Sequence, residues 1–207
     1  MAELITIHPD RLNGRHLQRA GDVLRQGGVI IYPTDTIYGL GCNIGNKQAI
    51  ERVQRIKGRD KHKPMSFVCA DLKHISDYAH ISNYAHRILK HCLPGAYTFV
   101  LPATRKTPRA LQTKEKTIGL RIPDHPVPLA LVRELGQPIL STSANYSNEE
   151  VITEPWILEE KFGHQVDLIL ECGSLPLEAS SVVSLIGDEA RVLREGKGDL
   201  SLFSEEA

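Results

Sequence analysis

Short β-branched runs alternate with helical patterns along nearly the whole chain, which restricts it to a fold that mixes strands and helices. The pattern predicts strands over residues 4–7, 29–32, 65–69, 97–101, 117–122, 138–140, 166–170, 181–186 and 191–194. It predicts helices over 15–26, 47–56, 83–92, 127–135 and 154–162. In 83–92 the residues Ala85, Ile88, Leu89, Cys92 and Leu93 recur at helical spacing and make one apolar stripe. Ser82 supplies the N-cap there, and Pro94-Gly95 stops the helix. The last strands follow one another with no helix between them, which favours antiparallel pairing. The expected fold class is therefore α/β: a single domain over 1–207, built on a twisted, mixed parallel and antiparallel sheet with helices packed on it. A length of 207 residues, 41% of them hydrophobic and 24% charged, suits one such domain. The polar residues 197–207 read as a loose tail.

Residues 33–41, PTDTIYGLG, concentrate polar chemistry after the apolar run 29–32. A loop from strand to helix lies at the carboxyl edge of such a sheet, where ligands bind. Thr34, Asp35, Thr36 and Tyr38 sit between a proline and glycines, more than a plain turn requires.

Several function classes are disfavoured. The 25 basic and 25 acidic residues cancel, which argues against nucleic-acid binding by bulk charge but leaves room for a local patch. Cys42, Cys69, Cys92 and Cys172 form no CxxC pair and read as reduced, mostly buried thiols. No apolar run approaches the ~18 residues of a membrane span. The opening MAELITIHPD lacks the features of a signal peptide, so the cytoplasm is the expected location. The chain carries no GxxxxGK[ST] phosphate loop. Gly39-Leu40-Gly41 is followed by Ile44 where a dinucleotide fingerprint needs glycine. No zinc-ligand spacing occurs and no protein-bound metal is expected; His62, His74, His80, His86 and His91 read as solvated positions.

Arg52, Arg55, Lys57, Arg59, Lys61 and Lys63 form a basic run. A solvated helix face accounts for Arg52 and Arg55. The others run past Gly58 onto a loop, where they suit a triphosphate or an RNA backbone. Ser141, Thr142, Ser143 and Asn145 follow the apolar residues 138–140 and could cap a helix or approach a phosphate or adenine. Arg121, where a strand ends before Pro123, suits a bidentate grip on a carboxylate.

Taken in order, PTDTIYGLG, KGR (57–59), PGAYTFVLPA (94–103), RIPDHP (121–126), STSAN (141–145), SSVVSL (180–185) and VLREG (192–196) closely resemble the YrdC/YciO family, over about residues 27–196. That family includes threonylcarbamoyl-adenylate synthases of tRNA modification. The resemblance implies an enzyme that joins ATP, L-threonine and bicarbonate, with Mg2+ accompanying ATP, to give threonylcarbamoyl-adenylate and pyrophosphate. A separate transferase then uses the product for N6-threonylcarbamoylation of a tRNA adenosine. The resemblance places Lys57 and Arg59 as catalytic cations on the nucleotide phosphates. Lys63, Thr117, Ser141, Ser143, Asn145 and Arg194 complete the ATP side. Thr36, Tyr38, Arg121, Ser180 and Ser181 correspond to the threonine side. Asp60 stands where a proline is usual, Val68 where some members carry histidine, and residues 60–64 lean toward the YciO-like branch. Two other readings stay open. One is a non-enzymatic module that binds double-stranded RNA or tRNA with the same cations. The other is a related carbamoyl-phosphate-type adenylate chemistry.

Overall fold

The computed structural model of the protein describes residues 1–58 and 65–203. The chain runs β1 (Glu3–Thr6), α1 (Gly14–Arg25), β2 (Val29–Tyr32), β3 (Gly39–Asn43), α2 (Lys47–Lys57), β4 (Ser66–Val68) and α3 (Leu72–Tyr78). It continues through α4 (Asn83–Cys92), β5 (Tyr97–Pro102), β6 (Thr117–Arg121), α5 (Pro126–Leu135) and β7 (Ile139–Ser143). It closes with α6 (Pro155–Phe162), β8 (Leu168–Glu171), β9 (Ser181–Ser184) and β10 (Arg191–Arg194). The described strands join one sheet in the order β1-β8-β2-β3-β7-β4-β6-β5-β9-β10. Pairing is mixed: β4 runs parallel to β6, β5 parallel to β9, and β9 antiparallel to β10.

Side chains alternate across the strands, so each face of the sheet collects its own core. One face carries Leu40, Phe67, Phe99, Leu120 and Leu140, packed with Val53 of α2, Ile75 of α3, Leu89 of α4 and Phe162 of α6. The opposite face carries Ile30, Tyr32, Val68, Ile139 and Leu168, packed with Leu24 of α1 and Leu131 and Val132 of α5. That second cluster stops at β4. Beyond it, the same face of β6, β5 and β9 is left without a helix among the described residues, and this bare half-face is the floor of a cleft.

The predicted helix 83–92 forms as expected, capped by the Ser82 side chain accepting from Ala85 N. Three expectations need correction. Residues 33–41 do not run as a loop from strand to helix, because Gly39–Asn43 is a strand paired antiparallel to β2, with Tyr32 opposite Gly39. Its glycines belong to a tightly packed sheet: a Cβ on Gly41 would lie 2.7 Å from Ile139 Cγ2 and 3.0 Å from the Tyr32 ring. Ser141 and Ser143 lie within β7, since the strand extends beyond residue 140. Residues 197–203 are not loose. Tyr97 Oη donates to Asp199 O at 2.9 Å, Ser181 Oγ donates to Gly198 O at 2.8 Å, and the Phe203 ring lies 6.4 Å from those of Tyr97 and Phe99. Among the described residues no helix is long and apolar enough to cross a membrane, and Cys42, Cys69 and Cys92 are buried free thiols.

Candidate active site

Register puts the cleft together. Val68 is level with Arg121, and Ser66 with both Gly119 and Ser141. Gly39 is level with Ser143, and Val100 with Gly119. These residues line a space of about 790 Å³. Of the sequence candidates, Tyr38, Thr117, Arg121, Ser141, Ser143, Asn145, Ser180 and Arg194 reach it.

Arg121 ends β6 and is 8% exposed. Its Nη2 pairs with Asp35 Oδ1 and donates to Thr36 Oγ1 at 2.8 Å, whereas its buried Nε–H has no partner among the described residues. Burial lowers the Arg121 pKa, opposed by the Asp35 carboxylate. Asp35 and Thr36 are presented by the β2–β3 connection, which braces itself: Thr34 Oγ1 donates to Ile37 O at 2.6 Å and accepts from Thr36 N at 3.1 Å. Thr36 is fully buried behind Arg121. Tyr38 is committed to the protein: its hydroxyl donates to Gly173 O at 2.6 Å and accepts from Cys172 N at 3.1 Å. Burial pushes the Tyr38 pKa well above that of an ordinary phenol.

Ser180 closes the same end. Its hydroxyl shares a hydrogen bond of 2.9 Å with Thr98 Oγ1, and its carbonyl accepts from Arg194 Nη2 at 2.8 Å. Burial, and then the positive charge of Arg121, lower the Arg194 pKa, so two guanidiniums feel one another here. Ser181 is fully buried and turned onto Gly198 O, so the structure separates it from Ser180.

The other end is built on β7. Tyr32 Oη donates to Ser141 Oγ at 2.7 Å, and burial pushes the Tyr32 pKa up to about 12. Ser143 Oγ donates to Asn145 Oδ1 at 2.6 Å, and Asn145 Nδ2 donates to Glu149 O at 2.7 Å. Lys57, the last residue of α2, is 1% exposed. Its ammonium reaches Ser143 O at 2.8 Å and Asn145 Oδ1 at 2.8 Å, and also bonds the Asn145 carbonyl. Lys57 therefore lies behind the serine–asparagine segment and holds it from within. Gly58 ends α2 in the left-handed conformation at φ 58°. Arg59, Lys61 and Lys63 follow it and lie outside the described residues. Thr117 opens β6, with its hydroxyl 2.7 Å from Thr113 Oγ1.

Sequence reasoning named Asp35 only as part of a polar loop and gave no role to Thr98 or Lys197. Thr98 had a signal: it is the polar neighbour of Phe99 in a predicted strand and so belongs to the face away from the core. Asp35 and Lys197 are brought to the site only by the tertiary fold.

The sequence profile of the Sua5/YciO/YrdC family, described as "Telomere recombination", matches residues 22–196. This chain belongs to that family. It is 40% identical to Escherichia coli (strain K12) YciO over 205 residues, 98% of this chain and 100% of the relative. The crystal structure of E. coli YciO superposes with a TM-score of 0.94, covering 99% of this chain and 100% of that one. A threonylcarbamoyl-AMP synthase from Chromobacterium violaceum is 42% identical over 142 residues, 68% of this chain and 74% of the relative. A P. abyssi Sua5 structure complexed with L-threonine is 28% identical with a TM-score of 0.88, covering 93% of this chain and 57% of that one. Relatives of this Sua5/YciO/YrdC chain thus include a named synthase and a protein crystallised with an amino acid.

Proposed function

We propose that the chain is a threonylcarbamoyl-AMP synthase-type enzyme that uses ATP, L-threonine and bicarbonate. The observation that carries this reading is Arg121: a buried guanidinium at the cleft wall whose Nε–H has no acceptor among the described residues. An unpaired buried donor is costly unless a ligand completes it. With Asp35 and Thr36 already on Nη2, the arginine still has donors to offer an amino-acid carboxylate. Arg194 and Arg191 also line the cleft, against Glu115 as the acidic lining residue, so the site favours anionic ligands.

In this reading the carboxylate sits on Arg121, with the Thr98–Ser180 hydroxyl pair beside it. Ser141, Ser143 and Asn145 face the nucleotide. Lys57 positions them, while Arg59 and Lys63 meet the phosphates and the magnesium enters as part of MgATP. The uncharged amine of threonine combines with bicarbonate to give a carbamate and water. A carbamate oxygen then attacks the α-phosphorus, the bond to the β-phosphate oxygen breaks, and pyrophosphate leaves. No side-chain nucleophile takes part, so orientation and charge carry the rate. A separate transferase would pass the threonylcarbamoyl group to tRNA. The RNA-binding alternative leans on Arg59, Lys61 and Lys63, outside the described residues, and no described feature favours it.

The test is pyrophosphate release from MgATP, with threonine and bicarbonate each omitted in turn and threonylcarbamoyl-AMP sought by mass spectrometry. Release that requires all the substrates supports the reading. Release indifferent to threonine, or none above a heat-treated control, overturns it.

A further inference from the structure

The amino-acid end of the cleft is backed by a segment that begins where the family match ends at residue 196. Gly196 lies directly on the Ser180 backbone: a Cβ there would come within 2.4 Å of Ala179 O and 2.7 Å of Ser180 C. Lys197 N donates to Ala179 O at 2.9 Å. Gly198 is pressed on the Tyr97 ring, where a Cβ would come within 2.6 Å, and its carbonyl takes the Ser181 hydroxyl. Asp199 and Phe203 anchor the far end on Tyr97 and Phe99. Between these anchors the Lys197 ammonium crosses to the β2–β3 connection and donates to the Asp35 carbonyl at 2.6 Å.

We propose that residues 196–203 act as a strap that sets the amino-acid subsite, with Lys197 as a positioning residue acting through Asp35 on Arg121. Fixing the Asp35 carbonyl fixes the peptide between Asp35 and Thr36. Both side chains accept from Arg121 Nη2, so they dictate where Nε and Nη1 point. The same strap backs Ser180 through Gly196. Both walls of the subsite are thus referenced to one short piece of chain, whereas the β7 end of the cleft is referenced to Lys57. The inference rests on the reading of the Arg121 end as the amino-acid end.

Lys197→Met should weaken L-threonine about fivefold, the effect of one hydrogen bond of ordinary strength, leave MgATP affinity unchanged and lower the melting temperature by no more than about 2–4 °C. Lys197→Arg should restore threonine affinity. Gly198→Ala, which lifts the strap off Tyr97 without removing a charge, should give the same selective loss. A readout without substrate is hydrogen exchange at Arg121 Nε by NMR, which should quicken in Lys197→Met. Equal weakening of threonine and ATP, or wild-type values of both threonine affinity and Arg121 exchange, would overturn the proposal. Failure of the wild-type protein to bind threonine would instead sink the functional reading, and the Arg121 exchange rate alone would then decide the role of the strap.

Discussion

Replacing Lys57 probes the proposed nucleotide end through a residue that does not line the cleft. Lys57→Ala deletes the buried stem beyond Cβ, about three methylenes at ~0.8 kcal/mol each. It also strips the ammonium from Ser143 O, Asn145 O and Asn145 Oδ1. Asn145 Oδ1 keeps Ser143 Oγ and Ser143 O keeps Asn145 N, so the Asn145 carbonyl is the acceptor that loses its donor, at about 1–3 kcal/mol, partly offset because a buried charge no longer has to be desolvated. The sum is about 3–5 kcal/mol for alanine. Lys57→Met refills the stem and isolates the polar loss, about 1–3 kcal/mol. For a chain of this size each kcal/mol moves the melting temperature by roughly 2–4 °C. Alanine should therefore melt about 10 °C low and methionine about half as far. Urea unfolding and thermal melts read both, and ATP titration of the folded methionine variant should show weakened binding because Ser143 and Asn145 lose their common anchor. Both variants melting within about 2 °C of the parent would refute the claim that the ammonium organises this loop.

Arg121→Ala should weaken L-threonine by a factor equivalent to about 2–5 kcal/mol with little change in ATP, measured by separate titrations; parallel losses would place Arg121 elsewhere. His125 caps α5, its Nδ1 accepting from Val127 N at 3.3 Å, and burial lowers its pKa. Because the fold prefers the neutral ring, stability should fall as pH drops below the unfolded value of about 6.5. Comparing melts at successive pH values with those of His125→Asn, which keeps a cap but cannot titrate, should show a shallower decline in the variant.

The helical stripe and caps of α4 were legible because every signal there is local. β3 was not: Gly39-Leu40-Gly41 reads as a turn, and the glycines make sense only once the Tyr32 ring and β7 press against them. α3 escaped because it has only seven residues and one buried side chain, Ile75. At the site, residue types announced polar chemistry at Thr36, Arg121, Ser143 and Asn145. The division of labour could not be read, because burial decides it. Lys57 looked like an exposed phosphate ligand at a helix end, yet its side chain is directed inward. Lys197 sat in a tail whose low hydrophobicity hid the anchoring done by Phe203 and the Asp199 carbonyl.

The bare half-face of the sheet also sets a length. Arg121 on β6 and Ser143 on β7 are separated by the single strand β4. Val68 of β4 is level with both Arg121 and Ile139, so Ser143 stands four residues further along β7. At about 4.8 Å per strand and ~3.4 Å per residue the two positions are roughly 17 Å apart. Backbone ladders adjust only in whole residues, and a slip of one residue turns every side chain to the other face. The spacing is therefore a fixed ruler. In the proposed reaction, an acid with one more carbon between carboxylate and amine would still satisfy Arg121, but it would carry its nitrogen about one bond length, ~1.5 Å, out of line, an error large enough to spoil an in-line attack. Such a site would, in the proposed reaction, measure the backbone of its amino acid before it reads the side chain.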